Sequence, residues 1–282
     1  MSTPKKIGPE SSAVDAASSL LCPEDGPAYE IINDDGTADL LLVCEHASNR
    51  MPKTLGTLGL DVDTLNSHIA WDPGAEAVAR LLANRLDASL VLQRFSRLVY
   101  DCNRPPSAES AMPARSEIFD VPGNQQLSAS ERLARTLAIY APFHRAVERQ
   151  FDHRCTQGGY PALITVHSFT PVFHGQRRTV ELGLLHDTDA RLATLMLDLG
   201  QGQSSLETRL NEPYAPSDGV THTLRRHAIA RGLPNVMIEI RNDLISNPKG
   251  QTDVADSLAR TIEAALFQLQ ESTDRQRRQA SR

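Results

Sequence analysis

The sequence lacks the features that mark membrane and secreted proteins. No apolar run in its 282 residues approaches the ~20 residues that a helix needs to cross a bilayer. Lys5 and Lys6 are followed by no continuous apolar stretch, so a secretory signal is not expected. The four cysteines form no CxxC pair, which disfavours a cysteine zinc site and is typical of free thiols. These absences predict a cytoplasmic protein.

Several catalytic and cofactor-binding motifs are also missing. The chain has no GxxxxGK[ST] loop and no glycine-rich dinucleotide fingerprint, so a nucleotide cofactor is not expected. It contains neither a GxSxG nucleophile elbow nor an HExxH zinc helix. A net charge of −6 and a pI near 5.8 disfavour nucleic acid and anionic membranes as partners. We therefore expect a small-molecule partner, with the oligomeric state left open.

Composition divides the chain into three parts. Residues 1–26 are rich in Ser, Pro, Ala and Glu and are predicted to form a loosely ordered leader. Residues 272–282 are polar and basic and are predicted to fray from the last helix as a tail. Residues 27–271 contain no repeat and no low-complexity linker, which predicts a single domain.

Short apolar segments alternate with helical segments along this domain. Ser128 and Glu131 form the pattern of a capping box, and Pro142 should kink the helix that they open. The predicted strands are 39–44, 89–93, 98–101, 162–166, 180–185 and 235–240, and the predicted helices are 74–86, 128–151, 187–199, 219–231 and 252–271. This alternation predicts an α/β fold with three layers, α/β/α, around a mixed, mostly parallel sheet. In such sheets, ligands bind beyond the carboxyl ends of the strands.

Two histidines, His46 and His167, each follow a predicted buried strand directly. Imidazole together with carboxylate is typical of open catalytic zinc sites, although other divalent ions accept the same ligands. The third ligand is predicted to be Asp72, which precedes the helix at 74–86 and serves either as a ligand or as the helix N-cap. Glu45 competes for this role, but on an extended segment it points away from the side of His46.

Polar residues at two further predicted strand ends suggest substrate binding and catalysis. Asn103 and Arg104 can together bind a carboxylate or polarise a carbonyl, unless Arg104 simply pairs with Asp101. Glu239 interrupts an apolar strand, so it is either a general base near the metal or the ion-pair partner of Arg241. Further predicted substrate contacts are Arg50, Arg97, Ser168 and His222.

Four motifs together resemble the N-formylglutamate amidohydrolase family. They are CEHASNRMP at 44–52, FSRLVYDCNRP at 95–105, VHSFTP at 166–171 and VMIEIRND at 236–243. The resemblance covers about residues 38–268. It implies a phosphorylase/hydrolase-like α/β/α fold, similar to that of zinc carboxypeptidases and aspartoacylase.

The resemblance also implies roles for individual residues. His46 and His167 would bind zinc, Asn103 and Arg104 would bind the substrate carboxylate or polarise its carbonyl, and Glu239 would activate water. Carboxypeptidase-type enzymes have a glutamate three residues after the first histidine, where this chain has Asn49. The Trp-Asp-Pro context of Asp72 resembles the deformylase pattern instead, which favours Asp72 as the remaining ligand.

The function implied is zinc-dependent hydrolysis of an N-formyl or other short N-acyl amino acid, such as N-formylglutamate. Two alternatives remain open at this point. One is a zinc carboxypeptidase or deacylase that acts on another acyl or peptide substrate. The other is a non-catalytic homologue that binds an acidic small molecule.

Overall fold

The structure, a computed structural model, describes residues 20–156, 159–201 and 206–280. The strands are β1 (Tyr29–Ile32), β2 (Leu40–Cys44), β3 (Ser89–Gln93), β4 (Arg115–Ser116), β5 (Phe119–Asp120), β6 (Ala162–Phe169), β7 (Val172–Phe173), β8 (Gln176–Arg177), β9 (Leu182–Leu185), β10 (Thr208–Leu210) and β11 (Asn235–Arg241). The α-helices are α1 (Val62–Asn66), α2 (Ala75–Arg85), α3 (Ala129–Arg135), α4 (Ala141–Thr156), α5 (Arg191–Gly200) and α6 (Pro248–Ala280).

Seven strands form the central sheet in the order β1-β3-β2-β6-β11-β9-β10. The pairs β3–β2, β2–β6, β6–β11 and β9–β10 are parallel. β1 pairs with β3, and β9 with β11, in the antiparallel direction. The predicted mixed, mostly parallel sheet is therefore confirmed. Two short hairpins, β4–β5 and β7–β8, stand outside this sheet.

The central strand β2 is buried on both faces. Leu40, Leu42 and Cys44 pack into one hydrophobic cluster together with α2, α5 and α6. Leu41 and Val43 pack into a second cluster with α4 on the opposite face. Successive side chains of a strand point to opposite faces of the sheet. A strand that is covered on both faces therefore has a continuous apolar sequence. The three-layer α/β/α prediction is confirmed.

The strand predicted at 98–101 is wrong. These residues form a turn, in which Leu98 N donates to Ser96 Oγ at 3.1 Å and Val99 N donates to Ser96 O at 2.9 Å. Leu98, Val99 and Tyr100 are buried in the second cluster without joining the sheet. A short apolar run does not distinguish a buried strand from a buried turn. Asp101 and the residues after it therefore lie on a loop, not at a strand end.

The strand predicted at 162–166 is longer than expected. β6 extends to Phe169, so His167 and Ser168 lie inside the strand and not after it. In the pairing with β11, His167 lies opposite Glu239. The two residues share one side of the sheet because parallel strands in register present neighbouring side chains on the same face.

The helix predicted at 128–151 is interrupted. The Ser128–Glu131 capping box is present, and α3 then passes through a π segment, Thr136–Tyr140, into α4. The interruption ends two residues before Pro142, which lacks the N–H for a regular helical bond to Ala138 in the π segment. The helix predicted at 219–231 contains a π segment, Leu224–Ala228, and a 3-10 turn, Ile229–Arg231.

The ends of the domain differ from the predicted boundaries. Residues 1–19 of the predicted leader lie outside the described residues, but Leu20 is buried in the core. Asp25 Oδ1 accepts a hydrogen bond from Lys53 N at 3.2 Å, which joins residues 20–26 to the domain. α6 continues past Glu271 to Ala280.

Among the described helices, none has both the length and the apolar character needed to cross a bilayer.

Candidate metal and active site

The candidate site lies at the carboxyl edge of β2, β6 and β11. His46 follows β2, whereas His167 and Glu239 face each other across the β6–β11 pair. Asp72 comes from the loop before α2, and Asp101 comes from the loop after β3. All five side chains are buried. The sheet therefore brings together groups that are far apart in the sequence, as expected for the switch region of an α/β sheet.

The backbone around Asp72 directs its side chain into the site. Asp72 N donates to His46 O at 3.0 Å. Gly74, which precedes α2, has a φ of 81°, and a Cβ there would lie 2.6 Å from the carbonyl oxygen of Ile245. Only glycine fits this left-handed, crowded position. No side chain caps α2, so the N-cap alternative for Asp72 is wrong.

Three ligand atoms form a compact triangle. Asp72 Oδ2 lies 3.2 Å from His46 Nδ1 and 3.0 Å from His167 Nδ1, and the two Nδ1 atoms are 3.2 Å apart. A tetrahedral zinc site with bonds of about 2.0–2.1 Å places its ligand atoms about 3.4 Å apart. The two nitrogens and one carboxylate oxygen therefore fit a zinc ion in both spacing and chemical type.

The other nitrogen of each histidine faces a second carboxylate. His46 Nε2 lies 2.7 Å from Asp101 Oδ1, and His167 Nε2 lies 3.1 Å from Glu45 Oε2. The His167–Glu45 pair is a close charge contact and not a well-aligned hydrogen bond. Both nitrogens of each imidazole therefore face a carboxylate, since the Nδ1 atoms face Asp72 Oδ2. A cation bound at the two Nδ1 atoms would leave the proton of each imidazole on Nε2, toward Asp101 or Glu45.

The pKa values of His46 and His167 reflect an excess of negative charge around the two imidazoles. Burial opposes their charged forms, but the neighbouring carboxylates outweigh it. Asp101 and Asp72 raise the pKa of His46, and Glu45 and Asp72 raise the pKa of His167 well above the ordinary value. The cluster thus attracts positive charge, which protons on the imidazoles or a divalent cation can supply.

Glu239 lacks the partners that a buried carboxylate ordinarily has. Its Oε2 has no hydrogen-bond partner among the described residues. Arg241 instead pairs with Glu181 at 3.1 Å and Asp243 at 2.8 Å, so the ion-pair alternative for Glu239 is wrong. Burial raises the pKa of Glu239 to about 7, and Asp72 adds to this effect while His167 opposes it. An acid with such a pKa can both accept and return a proton near neutral pH.

A cavity of about 520 Å³ opens beside these groups. His46, Asp72 and Glu239 line one part of it, whereas His167 lies behind this lining. Residues contributed by loops and both hairpins complete the wall, among them His68, Arg97, Asn103, Arg104, Ser116, Glu117, Ser168, Phe169, Phe173, Arg178, Tyr214 and Asp218. The cavity is therefore a polar cleft next to the candidate metal ligands.

Two predicted substrate contacts on this wall interact mainly with the protein itself. The Asn103 amide donates to Val220 O at 2.5 Å and accepts from Thr223 N at 3.1 Å. The Ser168 hydroxyl donates to Pro73 O at 2.8 Å. These bonds give both side chains a positioning role at the cavity wall.

Arg97 and Arg104, two arginines predicted to contact substrate, have different partners within the protein. Arg97 lies 2.8 Å from Asp101 Oδ2 and 3.4 Å from Asp72 Oδ1, so the site's own carboxylates balance its charge. Arg104 donates to the carbonyls of Asn103 and Gly219, at 3.1 and 2.7 Å. Within the described part of the chain, no carboxylate lies within ion-pair distance of Arg104. The predicted direct Asp101–Arg104 ion pair is therefore wrong, although the Arg104 charge is among the influences that lower the pKa of Asp101.

Arg50 and His222 do not reach the cavity lining. Arg50 Nη2 donates to Asp25 O at 2.9 Å, and its guanidinium lies 5.0 Å from the centre of the Phe95 ring. This arginine ties the segment around Asp25 to the domain. His222 Nε2 lies 2.9 Å from Tyr140 Oη, within a separate histidine cluster. Their predicted contacts with substrate are thus not supported by their positions.

Sequence reasoning missed Glu45 and Asp101 as partners of the histidines. The alternation rule correctly separates Glu45 from the side of His46, but the neighbouring strand places His167 next to it. A carboxylate beside each ligand histidine is a common feature of metal sites. The adjacent Glu45-His46 pair was the available signal for Glu45. His68, Arg178 and Tyr214 were also missed, and no local pattern marks them.

All four cysteines have free thiols. Cys44 and Cys102 are fully buried, and burial raises the pKa of each thiol well above the ordinary value, with nearby carboxylates adding to the effect. A protonated, buried thiol is a poor nucleophile. The two cysteines next to the site are therefore packing residues.

A separate cluster of Tyr140, His144, His222 and His227 packs behind the loop that carries Asp101. His144 Nε2 lies 2.9 Å from Cys102 O and donates to it, since a carbonyl only accepts. His144 Nδ1 then accepts from His227 Nε2 at 2.8 Å. Neutral imidazoles thus hold the backbone of this loop in place.

Comparisons with known proteins find similar proteins over most of the chain. The model of the N-formylglutamate amidohydrolase family matches residues 38–246. The crystal structure of a gene product from Agrobacterium tumefaciens is 54% identical, with a TM-score of 0.87, over 89% of this chain and 99% of that one. N-formylglutamate amidohydrolase from Ralstonia eutropha JMP134 is 18% identical, with a TM-score of 0.59, over 85% of this chain and 97% of that one, a similarity of fold. No curated protein matches the chain.

The carboxylates behind the histidines yield a prediction about metal affinity. Asp101→Asn and Glu45→Gln should each weaken zinc binding about 10- to 100-fold, because each removes the charge that orients a ligand imidazole. Competition with a chromophoric chelator measures this change. Asp253→Asn is the matched control, since Asp253 is exposed and pairs with Lys249. Equal zinc affinity in all four proteins would contradict the assignment.

The histidine cluster yields a prediction about stability against pH. Burial lowers the pKa of His227 to about 3 and of His222 to about 4, with Arg226 adding to the effect, and also lowers that of His144. At these three positions the unfolded chain therefore binds more protons than the folded chain as pH falls below about 6.5. The contribution of this cluster to the free energy of unfolding should be constant above about pH 7 and should fall below it.

Urea unfolding at pH 7.5 and pH 5.0 tests this prediction. His227→Gln keeps a donor for His144 but does not titrate, so the variant should lose less stability on acidification than the wild type. His153→Gln, at an exposed position of α4, is the control and should behave as the wild type does. An unchanged pH dependence in His227→Gln would refute the explanation.

Proposed function

Because the chain belongs to the N-formylglutamate amidohydrolase family, we propose that it is a zinc-dependent amidohydrolase that cleaves a short N-acyl amino acid, such as N-formylglutamate. This proposal rests on the triangle formed by two imidazole nitrogens, of His46 and His167, and one carboxylate oxygen, of Asp72. It lies at a cavity that Glu239 also lines. Metal ligands, a candidate base and a cleft for a small molecule thus coincide.

His46, Asp72 and His167 would hold the ion. Once bound, zinc supplies Lewis-acid activation of water and of the acyl carbonyl. The carboxylates of Asp101 and Glu45 fix the orientation of the two imidazoles, and Arg97 fixes Asp72 and Asp101 in turn. Two imidazoles and one carboxylate are a ligand set that catalytic zinc sites use.

Glu239 would act as the proton carrier. Its Oε2 takes a proton from the attacking water and later gives it to the nitrogen of the leaving amine. In the reaction, a C–O bond forms at the acyl carbon as the C–N bond of the amide breaks. The products of N-formyl substrates are formate and the free amino acid. The pKa of about 7, which burial produces, suits a group that must both accept and release a proton.

Arg104 would stabilise the negative charge that develops on the acyl oxygen. Its guanidinium lines the cavity, and its bonds to the carbonyls of Asn103 and Gly219 hold it in place without neutralising it. Donors that are already oriented stabilise a transition-state oxyanion most effectively, because they need not reorganise during the reaction.

Replacement of Glu239 tests the role of the proton carrier. Glu239→Gln should bind zinc as the wild type does but lose roughly 10²- to 10⁴-fold in kcat, because the amide cannot accept the proton. Elemental analysis gives the zinc content, and formate release from N-formylglutamate gives the rate. Asp72→Asn is the matched comparison and should lose both zinc and activity. Full turnover in Glu239→Gln would refute the assignment.

A substrate panel tests the reaction class. N-formyl amino acids should be hydrolysed faster than N-acetyl amino acids and peptides with the same side chain. A preference for peptides or longer acyl groups would instead favour a carboxypeptidase or deacylase. Zinc analysis of the purified protein addresses the remaining alternative, since absence of zinc together with tight binding of an acidic ligand would indicate a non-catalytic homologue.

A further inference from the structure

One cation on the cavity wall, Arg178, has a different environment from the others. Its guanidinium lies 4.5 Å from the ring centre of Phe173, 5.0 Å from that of Tyr214 and 5.4 Å from that of Phe169. All of these side chains line the cavity. Aromatic faces within ~6 Å attract a guanidinium and restrict its motion, but they leave its net charge in place.

The hydrogen bonds of Arg178 leave part of its guanidinium unused. Nη1 lies 3.4 Å from Thr170 O and 3.3 Å from Tyr214 Oη. In the described ranges, Nε and Nη2 have no hydrogen-bond partner, and no carboxylate lies within ion-pair distance. Arg97, by contrast, is paired with two carboxylates. Arg178 therefore presents an uncompensated positive charge to the cavity.

The backbone of Arg178 is anchored. Its N–H donates to Pro171 O at 2.9 Å, and its carbonyl accepts from Arg241 Nη1 at 3.4 Å. Arg241 ends β11 and is itself held by Glu181 and Asp243. The strand that carries Glu239 thus also anchors Arg178. A charged group that is already positioned loses little conformational entropy when a ligand binds.

Arg104 also lines this cavity, and within the described residues it too has no carboxylate at ion-pair distance. Tyr214, which contacts Arg178, and Gly219, which contacts Arg104, lie toward opposite ends of the segment 213–220. Pro213, Tyr214, Asp218 and Val220 of this segment line the cavity. Arg178 and Arg104 thus contact different residues of this segment, Tyr214 and Gly219.

We propose that Arg178 is the specificity-determining residue of the site and binds the side-chain carboxylate of an N-acyl acidic amino acid. This inference rests on the proposed function and names its substrate class. In the proposed function, Arg104 stabilises the acyl oxygen and is not needed for the side-chain carboxylate. The planar guanidinium matches a carboxylate with two parallel hydrogen bonds. Glu117 and Asp218 also line the cavity, which disfavours a group with a larger negative charge, such as a phosphate monoester.

Binding of two nearly isosteric ligands tests this inference. In the zinc-loaded Glu239→Gln background, which should not turn over substrate, calorimetry compares N-formylglutamate with N-formylglutamine. N-formylglutamate should bind roughly 10- to 100-fold more tightly, because a carboxylate replaces a neutral amide opposite Arg178. Adding Arg178→Gln should remove this preference, and the affinity for N-formylglutamine should change by no more than about twofold.

Two further variants separate the role of Arg178 from general effects on charge and folding. Arg177→Gln removes the same charge from the exposed neighbouring position in β8 and should keep the preference. Arg178→Lys keeps the charge but loses the planar fork, so its preference should be intermediate. Thermal unfolding of each variant verifies that it is folded.

The two proposals can fail separately. A preference for N-formylglutamate that persists in Arg178→Gln would overturn the role of Arg178, and so would the absence of any preference, or of any binding, in the starting background. Absence of hydrolysis by the otherwise wild-type, zinc-loaded protein would overturn the proposed function, whereas the binding comparison would still decide the role of Arg178. If both proposals hold, Arg178→Gln should impair catalysis with N-formylglutamate mainly through KM.

Discussion

The site depends on one electrostatic constraint, which is the burial of several carboxylates around two imidazoles. Asp72 faces the Nδ1 atoms of both histidines, and Asp101 and Glu45 face the Nε2 atoms. Burying a carboxylate is costly unless positive charge or hydrogen bonds compensate it. Arg97 compensates Asp72 and Asp101 only in part, because it is a single cation. The remaining negative charge makes the triangle suited to a divalent ion.

The fold satisfies this constraint through strand register and a few crowded backbone positions. The parallel pairing of β6 with β11 places His167 beside Glu239, and the next strand, β2, leads into Glu45 and His46. Gly74 lets the chain turn before α2, so that Asp72 reaches the same edge. Rigid strands and a tight turn can maintain ligand spacings of about 3 Å.

Catalysis and substrate selection would use different physical environments within the same cavity. The candidate catalytic groups are buried carboxylates and imidazoles whose charges partly compensate one another. The wall around Arg178 is aromatic, so it restricts the guanidinium and leaves its charge for a ligand. The hairpin β7–β8 supplies Phe173 to this wall, and the chain leaves the hairpin toward Arg178. Such a division allows the substrate side chain to be selected by residues that do not touch the metal ligands.

The sequence by itself determined the three-layer architecture, because apolar strands and amphipathic helices alternate along the chain. It also placed His46, His167 and Glu239 near strand ends, while Asp72 remained either a ligand or a cap. Only the tertiary structure decided that Asp72 faces both histidines, that Glu45 lies beside His167, and that Arg178 is surrounded by aromatic rings. The reason is physical: local pattern reports which face of an element is buried, whereas contacts between distant segments depend on strand register and loop paths.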